Sequence, residues 1–129
     1  MTRLYTLLVA LLLGLQGVST LAALTVPAFD AALPLLLEQT QMTVQHSALH
    51  ILTAAIGVAV LRLPGPRATF WFALAFGTFY TALALVGMAS GSGLCLGLKS
   101  FDHPFHLLLG LPGLVSAGLV LLRARDGDA

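Results

Sequence analysis

His103–Leu122 reads HPFHLLLGLPGLVSAGLVLL, a run of twenty residues without a Lys, Arg, Asp or Glu. About 20 consecutive apolar residues is the length that a helix needs to cross the hydrocarbon of a bilayer. Three other runs qualify on the same ground: Leu4–Val26, Val44–Leu61 and Ala68–Ala89. Backbone groups in lipid must be paired within the segment or within a closed barrel. These runs are continuously apolar and do not alternate, which predicts helices and excludes a β-barrel. The expected fold is an all-α, four-helix transmembrane bundle, a single integral membrane domain over residues 1–129.

Composition agrees. Charged residues make up 9% of the chain and hydrophobic residues 58%, with a mean hydropathy of +0.98; a soluble domain carries about 25% charged residues. Such a chain has no basic face for nucleic acid, and its first expected partner is the lipid bilayer. The run at Leu4–Val26 resembles a secretory signal, with Arg3 before it and Ala22 and Ala23 near its end. It is long for that role and stays apolar past Ala23, so we read it as a retained first span.

Charge distribution sets the orientation. Arg3, Arg62, Arg67, Arg123 and Arg125 flank one side of a four-pass arrangement, while Lys99 stands with Asp30, Glu38 and Asp102 on the other. Positive residues near span ends mark the cytoplasmic face. A multi-pass protein of the cytoplasmic (inner) membrane with both termini cytoplasmic is expected. Cys95 is the only cysteine, which rules out an intrachain disulfide; it falls in the outer loop Ser90–Asp102.

Arg62–Arg67 (RLPGPR) is a short turn, so the second and third helices should be antiparallel neighbours. The connection 27–43 is longer and carries Leu33, Leu35, Leu36 and Leu37, too apolar for a solvated loop. Pro34 suits a first helical turn. Either a short helix lies at the interface or the second span extends outward.

The halves look duplicated. HILTAAIG from His50 and HLLLGLPG from His106 each place a glycine seven residues after the histidine, at Gly57 and Gly113, and Gly14 matches Gly77. Two repeated helical hairpins related by an axis along the membrane normal follow, with the second and fourth helices meeting through Gly57 and Gly113. On these residues, together with Asp102, the chain resembles a family of small four-pass bacterial membrane proteins catalogued as a domain of unknown function. That family carries a repeated Asp/Asn-x-x-(x)-His-Leu-x-x-Gly-x-x-Gly motif. The resemblance implies a four-helix bundle and carries over His50, Gly57, His106, Gly110 and Gly113. Ala54 departs from the motif in one copy and Pro112 enters the other. His46 and His103 lie outside it, and the family supplies no activity.

The histidines are the only ionisable residues near span interiors. His46 and His50 are four apart and His103 and His106 three apart, so each pair shares a helix face. One reading is structural: rings at the membrane boundary bonding to loop backbone, water or Asp102, with Asp102 an N-cap and His46 and His103 nearer the outer water. A second is a transition-metal site on His46, His50, His103 and His106, with Asp102 as an orienting group. A third is a b-type haem held by His50 and His106. Gln16, Ser19, Thr20, Thr78, Tyr80 and Thr81 are expected to hydrogen-bond between helices, and Phe70, Trp71 and Phe72 to anchor the inner boundary. The leading functional expectation is a non-enzymatic subunit or scaffold, without cofactor, packing against another membrane protein or as a homo-oligomer. The alternative is a metal- or haem-binding membrane redox protein.

Overall fold

Each apolar run folds as one long helix. The computed structural model describes residues 1–90 and 98–127. In chain order the helices are α1 (Thr2–Thr25), α2 (Pro27–Ala32), α3 (Leu35–Thr40), α4 (Val44–Arg62), α5 (Arg67–Ser90) and α6 (Asp102–Gly127). α1, α4, α5 and α6 are each long and apolar enough to cross a bilayer. The protein is therefore an all-α bundle of four such helices. Only 28–33% of each apolar window is buried against the other helices. Large apolar side chains such as Leu11, Leu15, Leu108 and Val115 face outward, as lipid allows and water would not. Cys95 lies outside the described residues.

The connection 27–43 forms two short helices instead of an outward extension of α4. Pro27 opens α2 at a position where its missing N–H costs no helical bond. α3 ends at Gln41, which adopts a left-handed φ of 48°. That conformation costs a side-chain-bearing residue about 1–2 kcal/mol, and it stops α3 from running on into α4. Thr43 then starts α4 afresh, its hydroxyl accepting a hydrogen bond from the backbone N–H of His46 at 3.2 Å.

Two helix pairs carry most of the packing, α1 with α4 and α5 with α6. Helices in lipid gain nothing from hiding apolar surface from one another, so they associate where small residues let backbones approach. A Cβ on Gly77 would stand 2.8 Å from the backbone nitrogen of Leu114 and 2.9 Å from the Gly110 carbonyl; one on Gly57 would stand 3.1 Å from the Ala10 methyl. The contacts of the two pairs keep one register. Ala10 faces Gly57 as Ala73 faces Gly113, and Gly14 faces Ala54 as Gly77 faces Gly110.

This arrangement corrects the expectation that α4 and α6 meet through Gly57 and Gly113. Both glycines are buried, but each serves the seam with a neighbouring odd-numbered span, and α4 and α6 have almost no backbone contact. Gly113 has a second task. Pro112 lacks an N–H, so it leaves the carbonyl four residues earlier without its helical partner. Beside that carbonyl, the Leu109 oxygen accepts a hydrogen bond from the Tyr5 hydroxyl at 2.8 Å. A Cβ on Gly113 would collide with that hydroxyl.

The core contains Tyr5, Val9 and Leu13 from α1, Ala54 from α4, Phe72, Ala73, Phe76 and Tyr80 from α5, and Leu109 from α6. Phe72 thus belongs to the core, where it stacks on Phe76; of the expected aromatic anchor only Trp71 is strongly exposed. At the arginine end, Arg3 donates to the Leu61 carbonyl at 2.8 Å, capping α4. The Thr2 and Thr69 hydroxyls bond each other at 3.0 Å, tying α1 to α5.

Gly77→Leu should destabilise the bundle by about 1–3 kcal/mol through overpacking. Gly118→Leu, at a position with nothing near its missing Cβ, should be close to neutral. Thermal unfolding of the two variants in detergent measures the difference; equal stability would contradict the seam.

Candidate metal centre

The Thr43 cap places His46 in the first turn of α4, and His50 follows one turn deeper on the same face. His106 sits in the second turn of α6, so its ring enters the same layer from the opposite direction around the bundle. Two glycines set the walls. A Cβ on Gly17 would press against the Ser47 carbonyl and the Cβ of His50, so glycine there lets α1 lie flat against α4. A Cβ on Gly87 would overlap the His103 ring, so that ring rests on the backbone of α5.

The result is a triad. Ring centroids are 4.5 Å apart for His46–His50, 5.7 Å for His46–His106 and 6.3 Å for His50–His106. One nitrogen from each of the three rings lies within 4.8 Å of the others. All three side chains are 1% exposed. None of their six ring nitrogens has a hydrogen-bond partner among the described residues. The structural expectation, in which each ring bonds to loop backbone, water or Asp102 with its counterpart out of reach, differs in one respect: the three rings lie within reach of one another.

His46 was expected near the outer water and is instead fully enclosed. His103 comes closer to the expectation: it is 8% exposed and stands outside the triad. Asp102 does not act as a simple N-cap. It lies in the first turn of α6, and its carboxylate turns back to accept a hydrogen bond from the Lys99 N–H at 2.7 Å.

Around the triad, Tyr80 packs its ring 4.9 Å from His106 and 6.5 Å from His50. Ser47, beside His46, bonds the Thr20 hydroxyl at 2.9 Å, and Thr20 also reaches the Gln16 carbonyl at 2.7 Å. Of the polar side chains expected to link helices, Thr20 does so, while Ser19 bonds within α1. The three centroid distances make a triangle, with the His46 ring at its third corner beside the His50–His106 pair. Sequence reasoning missed the enclosure of His46 and the roles of Gly17 and Gly87. Neither is signalled in the sequence, since both depend on how α1 and α5 lie against α4 and α6.

A neutral imidazole carries one N–H donor and one acceptor nitrogen. Leaving such a group unpaired in a core costs about 1–3 kcal/mol, whereas an apolar group of similar size costs nothing of the kind. In the presence of a chelator, His50→Leu should therefore unfold at an equal or higher temperature than the parent. A clear loss of stability under those conditions would mean that the imidazole is already paired. No protein-family model, no curated protein and no solved structure matches the chain.

Proposed function

We propose that this small multi-pass membrane protein binds a first-row transition-metal ion through His46, His50 and His106. The observation that carries the reading is the convergence of three enclosed imidazoles whose nitrogens have no other partner among the described residues. Neutral imidazole is a good ligand for zinc, copper, nickel, cobalt or iron. Metal–nitrogen bonds of about 2.0–2.1 Å set tetrahedral ligand atoms about 3.3 Å apart. Modest ring rotations bring nitrogens within 4.8 Å to that spacing. A haem on His50 and His106 would use two of the three imidazoles and leave His46 without a partner among the described residues. A purely structural subunit, packed on another membrane protein or a second copy, gives the three imidazoles nothing to bond.

Topology and ancestry belong to the same proposal. Arg3, Arg62, Arg67, Arg123 and Arg125 gather at the end opposite the histidines, which supports a cytoplasmic position for that end and an outward-facing metal centre. The shared register of the two helix pairs supports a duplicated hairpin. We place the chain beside the four-pass family because the motif residues fall on the seams and the triad. Gly57, Gly110 and Gly113 hold helix pairs together, and His50 and His106 supply ligands.

Detergent-purified protein should bind one equivalent of Co²⁺ or Zn²⁺ and gain thermal stability, by about 2.7 kcal/mol at a hundredfold excess over Kd. Replacing His46, His50 or His106 by Ala should weaken binding more than about a hundredfold, since even outer-shell partners of metal ligands are worth 10–100-fold. Binding that survives all three substitutions would overturn the assignment. A reporter fused after Ala129 should behave as cytoplasmic; periplasmic activity would reverse the topology.

A further inference from the structure

The triad is closed on the side facing the arginine end. Tyr80 lies against His50 and His106, Phe76 stacks beneath it at 4.1 Å between ring centroids, and Phe72 stacks beneath Phe76 at 5.5 Å. Leu13 and Ala54 are buried in the same layers. An ion crossing that column would lose its water among stacked rings and meet neutral hydroxyls such as that of Tyr80 but no charged group of the core cluster, which is prohibitive for a divalent charge. The opposite side differs. His103 lies one turn from His106 on the same face of α6, nearer the helix start. It is 8% exposed against 1% for the triad, and its Nδ1 is buried without a partner. Asp102, next to it in the chain, places a carboxyl group at the same end. Glycine at position 87 is what gives the His103 ring room.

We propose that His103 is the loading ligand of the centre. It takes a hydrated divalent ion at the outer end of α6 and passes it to His46, His50 and His106, and the ion leaves by the same route. Each step is ligand exchange: a nitrogen lone pair replaces a water or another imidazole on the ion, with no change of oxidation state. The protein then holds metal from one face of the membrane and does not conduct it through. This inference rests on the metal-binding reading of the triad.

The test follows Co²⁺ uptake and chelator-driven release by visible absorption in stopped flow, using the full chain in detergent. His103→Gln, which keeps the bulk of the side chain, should slow uptake and release alike by about 10–100-fold, the range in which groups next to a metal site act, and leave Kd unchanged. His103→Cys, which restores a ligand, should recover the rates. Gly87→Ala, which displaces the ring without altering its chemistry, should reproduce the His103→Gln kinetics. Unchanged rates in His103→Gln would overturn the proposal, as would weakened equilibrium binding with normal uptake, which would make His103 a resident ligand. Failure of the parent protein to bind Co²⁺ would instead remove the triad reading itself.

Discussion

Close backbone approach at small residues is the constraint on which this bundle depends. In lipid, a leucine gains nothing by exchanging an acyl chain for another leucine, so helix association rests on packing density and on interhelical polar contacts. Gly77 against Gly110 and Leu114, and Gly57 against Ala10, let two pairs of spans close to distances that a Cβ would forbid. Each of α4 and α6 is thereby committed to its own partner, and the two have almost no backbone contact with each other. What spans the gap between their outer turns is side chain, and the side chains there are histidines.

Several buried hydroxyls of the bundle are paired, whereas Gln16 Oε1, the Tyr80 and Thr81 hydroxyls and the histidines have no partner among the described residues. Thr2 pairs with Thr69, Thr20 with Ser47, Thr6 with the Thr2 carbonyl, and Tyr5 with the Leu109 carbonyl. These are the short interhelical and back-bonded contacts that membrane helices use, each worth about 1 kcal/mol. The triad adds three imidazoles with none. A bundle selected only for stability would carry Leu or Phe at those positions, because an unpaired donor in a dry core is a net loss. Three such imidazoles in one layer, with a nitrogen of each within 4.8 Å of the others, are the observation on which the proposed metal site rests.

Much of the fold was legible because the membrane simplifies the problem. Uninterrupted apolar runs at Leu4–Val26 and Ala68–Ala89 leave helix as the one backbone solution, and the structure extends them by only a residue or two. The outer connection was less legible, since nothing in LLLEQTQMT announces that Gln41 turns left-handed while Thr43 starts a new cap. Spacing put His46 and His50 on one face, and the paired motif put His50 and His106 at one level. It did not reveal which pairs of helices close tightly. Small residues lie on every span, and only the three-dimensional register selects Ala10 for Gly57 and Ala73 for Gly113. For the same reason His46 was assigned to the boundary: its enclosure is seen only once the other helices are packed around α4.

A centre in the outer turns of two helices faces a conflict between access and rigidity. Helix ends are where backbone hydrogen bonds run out and local opening is easiest, yet ligands must hold their geometry to bind an ion well. The chain answers with local devices at both ends. Thr43 caps α4 through the N–H of His46 itself, so the first ligand's backbone is fixed by the group that starts its helix. The Asp102 carboxylate folds back to Lys99, closing the turn from which α6 presents His103 and then His106. Below them the aromatic stack of Tyr80, Phe76 and Phe72 supplies a stiff floor. Moving the triad one turn deeper would set it within that stack, better ordered but cut off from water. One turn higher it would lose Gly17 and Tyr80 as walls and take on solvent as a competing ligand. The observed depth lets one histidine reach towards water while three remain dry.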